Sequence, residues 1–224
     1  MKKLWVFGDS FTNITGLWQT EPYYLEYCKK YPDFPKGTEL RGWYNYLSEK
    51  LNYELKQFSF SGGSNEVILL SVLQNLQYIS KDDMLIIGWT RPSRFSIPIP
   101  TDRNFFKTIV NDGSCNSLDL EHNLCGSLNE YYKNVFVPHV DSHISIWVDT
   151  IIQFENYLNQ NFNLKTWNWW EIPHETIKDE FNHITDMHPS VKGHMEIFEV
   201  INNMKIGNVS NWDDYLNSNK NNWN

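Results

Sequence analysis

Short strand-like segments alternate with helical patterns in the N-terminal part of the chain, and this alternation constrains the fold more than any other feature. Strands are predicted at residues 4–7, 55–60 and 84–87, and the first and third are continuous apolar runs that each end at a glycine, as strands buried on both faces do. Apolar residues recur at helical spacing in residues 42–51 and 65–79, which predicts a helix after each of the first two strands. The order strand, helix, strand, helix, strand predicts right-handed crossovers and a parallel sheet.

The C-terminal part continues with a helix predicted at 142–162, a strand at 164–169 and a final helix at 191–204. Before the long helix, residues 91–140 contain several prolines, an Asn-Asp-Gly turn and only a short helical candidate at 128–136, which predicts an irregular insertion. A long irregular stretch in a compact domain is usually functional, so we expect a lid or a binding loop here.

These elements predict one α/β domain over residues 1–204, followed by a polar tail at 205–224. An apolar fraction of 41%, with 16% aromatic residues, is sufficient for a sizeable core. The net charge of -8 argues against nucleic-acid binding, because proteins bind the phosphate backbone with clustered Lys and Arg.

The chain contains no apolar run of the about 18 residues that a membrane-spanning helix needs, and the apolar stretch after its two N-terminal lysines is too short for a secretion signal. We therefore expect a soluble, cytoplasmic protein without membrane insertion, with association with a virion as the alternative. Cys28, Cys115 and Cys125 match no zinc spacing and predict reduced thiols. A bridge between Cys115 and Cys125 is the alternative.

Small or polar residues follow the first three predicted strands. They are Gly8-Asp9-Ser10, Ser61-Gly62-Gly63-Ser64-Asn65 and Gly88-Trp89-Thr90. Ligands of parallel α/β sheets bind at the carboxyl ends of the strands. A serine in a strand-to-helix turn there has its hydroxyl lifted out of the sheet edge and its backbone N–H near a helix N-terminus, where developing negative charge is stabilised, so Ser10 is the candidate nucleophile.

A serine hydroxyl needs a base that a third group orients. The segment from Asp186 to Ser190 offers both, since His188 stands in a loop before the last helix and Asp186 lies close enough in sequence to accept a hydrogen bond from its ring. Pro189 stiffens this loop, and Ser190 is a suitable N-cap for the helix.

Gly8-Asp9-Ser10-Phe11-Thr12 resembles the first motif of the GDSL/SGNH hydrolases, and the segment from Asp186 to Ser190 resembles their last motif. The two motifs frame nearly the whole chain. The resemblance implies a three-layer α/β/α flavodoxin-like fold with a mostly parallel sheet of four to five strands. It also implies that Ser10 is the nucleophile, His188 the base and Asp186 the residue that orients it, with no cofactor.

The same resemblance implies an oxyanion site formed by the backbone N–H groups of Ser10 and Gly62, with Gly63 as the neighbouring possibility. Where the family usually has an Asn after the third strand, this chain has Thr90. The third donor is therefore either the Thr90 hydroxyl or Asn65 from the neighbouring loop. Asp186 and His188 are also one residue closer than the more common family spacing, so a backbone carbonyl is an alternative partner for the ring.

Trp89, Arg91 and Arg94 follow the third strand and are candidates for substrate binding. A guanidinium binds carboxylate or phosphate with two hydrogen bonds, but surface or interface charges are the favoured explanation of the two arginines, and a core position is the more common one for a tryptophan. His139 and His143 are four residues apart and would share a face if helical, but no third well-spaced ligand accompanies them, and a surface loop with Asp141 or Ser142 as the helix cap explains the same segment.

The sequence thus predicts a hydrolase that cleaves a carboxylic ester through an acyl-enzyme on Ser10, acting on O-acetyl groups of a carbohydrate or on short acyl esters. The partner is then a small-molecule or carbohydrate ester. An acyltransferase would use the same residues. Two alternatives are a non-catalytic domain that binds a carbohydrate or a partner, and a structural component of a viral or other assembly.

Overall fold

A computed structural model of the chain describes residues 1–12, 41–60, 63–92, 94–98, 106–109, 134, 139–168, 172, 189, 191–207, 210 and 212. The elements within them are, in chain order, β1 (Lys3–Gly8), α1 (Trp43–Leu51), β2 (Glu54–Ser59), α2 (Asn65–Asn75), a single 3-10 turn (Leu76–Tyr78), β3 (Met84–Trp89), β4 (Phe95–Pro98), β5 (Phe106–Ile109), α3 (Val140–Asn161), β6 (Asn163–Asn168) and α4 (Val191–Asn203).

The main sheet has four parallel strands in the order β2-β1-β3-β6. The chain runs from β1 outward to β2 and then returns past β1 to β3, so the strand order reverses between β1 and β3. In open parallel sheets, ligands bind in the crevice at such a reversal, beyond the carboxyl ends of the strands. Those ends are Gly8 in β1 and Trp89 in β3.

Alternate residues of the strands face two separate core clusters, one on each side of the sheet. Trp5, Phe7 and Leu85 pack with residues of α2 and α3, whereas Leu4 and Val6 pack with residues of α1 and α4. Helices therefore cover both faces, which is why the central strands are continuous apolar runs. The predicted α/β class and mostly parallel sheet are confirmed.

The predicted boundaries of these elements agree with the structure to within about two residues, apart from the second helix. Here α2 ends at Asn75 and a 3-10 turn takes the chain to Tyr78, so the predicted helix at 65–79 was too long.

The insertion at 91–140 contains regular structure that the sequence did not predict. β4 and β5 pair antiparallel, with Phe95 opposite Ile109 and Pro98 opposite Phe106. A proline is tolerated at this place because it ends a strand of a two-stranded sheet. Of the helical candidate at 128–136, the structure describes Asn134 alone.

Within the segment predicted as a polar tail, Trp212 is buried and belongs to the cluster that α2 and α3 share. Its neighbour Ser210 is also buried, and its hydroxyl lies 3.2 Å from the Thr166 hydroxyl of β6. The chain after α4 thus contacts the sheet again. None of the helices that the structure describes is long and apolar enough to cross a membrane.

Candidate functional site

Ser10 lies in a hydrogen-bonded turn directly after β1. The backbone N–H of Thr12 donates to the carbonyl of Asp9 at 3.1 Å. The side chain of Asp9 also spans the turn, because its Oδ1 accepts a hydrogen bond of 2.9 Å from the N–H of Phe11. Both bonds enclose Ser10, so the backbone that carries the candidate nucleophile is fixed from both sides.

Thr12 fills the space between the ends of β1 and β3, and this requires glycine in both strands. A Cβ on Gly8 would overlap the Thr12 side chain, and a Cβ on Gly88 would lie 2.7 Å from Thr12 Oγ1 and 2.8 Å from Trp167 Nε1. The glycines that end the two apolar runs therefore allow the Ser10 turn to pack closely against β3.

Asn65, the first residue of α2, is bonded to the backbone of Thr90 in both directions. Its Nδ2 donates to the Thr90 carbonyl at 2.8 Å, and its Oδ1 accepts from the Thr90 N–H at 2.9 Å. Both residues are almost completely buried. These bonds join the start of α2 to the end of β3 and leave the Asn65 amide with one further N–H.

Arg94 connects the turn after β1 with the end of β3. Its Nη1 donates to Asp9 Oδ2 at 3.1 Å and to Thr90 Oγ1 at 2.9 Å. The Asp9 side chain is 2% exposed and that of Arg94 17% exposed, so this ion pair is largely shielded from water and stronger than a surface pair. Because the Thr90 oxygen accepts this bond, its own proton remains for another acceptor.

Beside this network, Glu66 and His143 form a second polar cluster between α2 and α3. Glu66 Oε1 lies 3.7 Å from His143 Nε2. Burial raises the pKa of Glu66 to about 7, although a hydrogen bond with Ser64 opposes the shift. Burial also lowers the pKa of His143 to about 4. At a pH between these two pKa values, both side chains are mainly uncharged.

Trp89 points into the core. It packs in the cluster that α2 and α3 share, and its Nε1 donates to Glu155 Oε1 at 2.7 Å. Glu155 is also almost fully buried, which raises its pKa to about 7 against the opposing effect of hydrogen bonds with Thr166, Trp89 and Ser210.

The structure brings part of the predicted site together. Hydrogen bonds link Asn65, Thr90 and Arg94 at the carboxyl end of β3, and Arg94 also bonds to Asp9, the residue before the buried Ser10. Arg91 is exposed, and its backbone carbonyl accepts a hydrogen bond of 3.1 Å from the backbone N–H of Arg94.

The remaining predicted site residues Gly62, Asp186 and His188 lie outside the described residues. The backbone N–H of the neighbouring Gly63 donates a hydrogen bond of 3.0 Å to the carbonyl of Phe60. Among the residues that the structure does describe, no group of three His, Cys, Asp or Glu side chains is arranged to hold a metal ion.

Sequence reasoning missed three site contacts: the pairing of Asp9 with Arg94, the insertion of Thr12 between two glycines, and the proximity of Glu66 to His143. The two glycines were a usable signal for the second contact. The other two join residues far apart in the chain with no shared motif.

The sequence matches no model of a known protein family and no curated protein.

Proposed function

We propose that this protein is a serine hydrolase that cleaves carboxylic esters, with Ser10 as the nucleophile. The observation that supports this most is the position of Ser10, in a doubly hydrogen-bonded turn at the point where the strand order reverses. The finer fold is part of the proposal: the order β2-β1-β3-β6, with helices on both faces, is what a three-layer α/β/α flavodoxin-like domain has.

In the proposed reaction, the Ser10 oxygen attacks the ester carbonyl while His188 accepts the hydroxyl proton. The tetrahedral intermediate collapses, the bond to the alkoxy oxygen breaks, and His188 returns the proton to the leaving alcohol. Water then attacks the acyl-Ser10 ester with His188 again as the base, which releases the carboxylic acid. Asp186 orients the imidazole throughout, and the reaction requires no cofactor.

The negative charge of the intermediate is stabilised by the backbone N–H groups of Ser10 and Gly62. A third donor comes from the end of β3, either as the Thr90 hydroxyl or as the remaining N–H of Asn65. The Thr90 hydroxyl fits this task, since its oxygen already accepts from Arg94 and its proton is therefore directed elsewhere.

The proposed substrates are O-acetylated carbohydrates or short acyl esters, and an acyltransferase would differ only in the acceptor that replaces water. A screen of acetylated sugars against p-nitrophenyl esters of increasing acyl length separates these classes.

Covalent labelling tests the nucleophile directly. A fluorophosphonate probe should modify the wild-type chain at Ser10, and Ser10→Ala should abolish both labelling and ester hydrolysis. Ser145→Ala, at an exposed position of α3, is the matched control and should retain both. Equal labelling of wild type and Ser10→Ala would falsify the proposal.

A non-catalytic binding domain is the second candidate. It is favoured by the complete burial of Thr90, which stands where the GDSL/SGNH hydrolases that the motifs resemble usually have an Asn donor. For this candidate, a folded wild-type chain would bind acetylated oligosaccharides without hydrolysing them and without being labelled.

A further inference from the structure

Arg94 contacts both Asp9 and Thr90 through one nitrogen. Its Nη1 bonds to Asp9 Oδ2 at 3.1 Å and to Thr90 Oγ1 at 2.9 Å. These two partners flank the reversal of strand order, one in the turn after β1 and the other at the end of β3. The guanidinium therefore bridges the turn that carries Ser10 and the end of β3.

The contact with Asp9 acts on Ser10 through the turn. One carboxylate oxygen of Asp9 accepts the N–H of Phe11 at 2.9 Å, and the other accepts from Arg94. The carboxylate is thus held at both oxygens. Ser10 lies within the turn that is closed by the bonds from Phe11 N–H to Asp9 Oδ1 and from Thr12 N–H to the Asp9 carbonyl. Removing Arg94 takes away the bond to Asp9 Oδ2 and weakens the hold on the carboxylate that also accepts the Phe11 N–H.

The contact with Thr90 acts from the other side. The backbone of Thr90 is fixed by Asn65 through hydrogen bonds of 2.8 and 2.9 Å. Arg94 therefore bonds to the hydroxyl oxygen of a residue whose backbone is held in place. A rigid support matters because a displacement of a reacting group by about 1 Å can reduce a rate about a hundredfold.

We infer that Arg94 is a positioning residue for Ser10: by bonding to Asp9 and Thr90 at once, it holds the turn after β1 against the end of β3 and so fixes the direction of the Ser10 hydroxyl. This inference rests on the proposed function. It assigns to Arg94 a role in the rate of acyl transfer, whereas binding of the substrate in the ground state depends on other contacts.

The competing explanation is that Arg94 serves only as the counter-charge of a buried carboxylate, since an unpaired buried charge is costly wherever it occurs. The two roles separate in a double variant. Asp9→Asn with Arg94→Met is uncharged, and Asn at position 9 still accepts the Phe11 N–H. A counter-charge role is then no longer needed, but the link to Thr90 is still missing.

The experiment measures kcat and KM for a short acyl ester, the rate of fluorophosphonate labelling and the Tm of each variant. Arg94→Met should lower kcat and the labelling rate at least tenfold, with KM changed less than threefold. Asp9→Asn/Arg94→Met should recover Tm but not kcat. Arg94→Lys, which keeps the charge and one donor, should recover part of kcat and part of Tm relative to Arg94→Met. It replaces Arg94→Met in the comparison if that variant does not fold. Arg41→Met removes an exposed ion pair with Glu49 and is the control for losing an arginine.

Recovery of kcat together with Tm in the double variant would show that Arg94 is a counter-charge alone and would overturn the inference. So would a rise in KM with an unchanged kcat in Arg94→Met, or a wild-type kcat in Arg94→Lys and Arg94→Met alike. The proposed function fails differently: in that case the wild-type chain itself neither hydrolyses esters nor is labelled at Ser10.

Discussion

The indole of Trp89 donates a hydrogen bond of 2.7 Å to the carboxyl group of Glu155, joining the end of β3 to α3 inside the core. The Glu155 carboxyl is almost fully buried and therefore costly to ionise, because burial in an apolar environment disfavours its charged form. Thr166 and Ser210 also bond to it, so this single group connects β3, α3, β6 and the segment that follows α4. Its protonation state should therefore influence the stability of the whole domain.

The first prediction concerns the pH dependence that Glu155 confers. Its pKa is about 7 in the folded chain, compared with an ordinary value of 4.5, so the folded state binds this proton more tightly. Its contribution to the free energy of unfolding is complete below about pH 4.5 and is lost as the pH rises to about 7, by up to roughly 3 kcal/mol.

Chemical denaturation between pH 4.5 and 8 measures this contribution. Glu155→Gln should gain stability relative to wild type as the pH rises, because the amide resembles the protonated acid. Asp149→Asn, on the exposed side of α3, should keep the wild-type profile. Parallel profiles for wild type and Glu155→Gln would contradict the prediction.

The second prediction concerns acid, where His143 acts with the opposite sign. Burial lowers its pKa to about 4 from 6.5, so the unfolded chain binds this proton more tightly. As the pH falls from 6.5 to about 4, the contribution of His143 to the free energy of unfolding should fall by up to roughly 3 kcal/mol. The raised pKa values of Glu66 and Glu155 act with the opposite sign, but they are common to wild type and variant and cancel in a comparison at the same pH.

His143→Phe should therefore become more stable relative to wild type as the solution is acidified, and thermal unfolding at pH 7.5 and 5 detects the change. The exposed His139, in the turn before α3, offers the control His139→Asn, which should follow the pH profile of the wild type. If His143→Phe follows that profile too, His143 is not the group responsible.

The third prediction concerns the close packing of Thr12. Gly8→Ala should destabilise the fold by about 1–3 kcal/mol, the usual cost of overpacking, because the added methyl overlaps the Thr12 side chain. Gly88→Ala should behave similarly, with Trp167 as a second obstacle. Urea denaturation measures both effects, and Thr12→Ala in the Gly88→Ala background should recover part of the loss by removing the 2.7 Å contact with Oγ1. Full stability of Gly8→Ala would show that the turn packs differently.

The fourth prediction concerns the two bonds between Asn65 and the Thr90 backbone. Asn65→Ala leaves a buried N–H and a buried carbonyl unpaired and should cost about 2–4 kcal/mol. Asn65→Asp restores the acceptor but places a carboxylate oxygen against the Thr90 carbonyl, so its stability should improve as the pH falls and the acid becomes a donor. A denaturation series from pH 7 to 4 tests this, and a pH-independent difference between Asn65→Asp and Asn65→Ala would refute the proposed geometry.

Much of the fold could be predicted because strands buried on both faces and helices with one apolar face leave distinct local patterns. The runs around Val6 and Ile86 are examples, and both lie in the centre of the sheet. The hairpin of β4 and β5 left no such pattern: each strand has four residues, Pro98 lies in one of them, and their pairing depends on contact with each other.

Local sequence is sufficient to predict the strand and helix segments, the glycines at the ends of β1 and β3, and the place of Ser10 after the first strand, since these depend on neighbouring residues. Which side chains bond between the turn after β1, the end of β3 and α3 depends on the folded sheet. Asp9 and Arg94 are 85 residues apart, and Trp89 and Glu155 are 66 apart. No local pattern specifies such pairs, because their contact depends on the strand order and on side-chain directions that exist only when the sheet has formed.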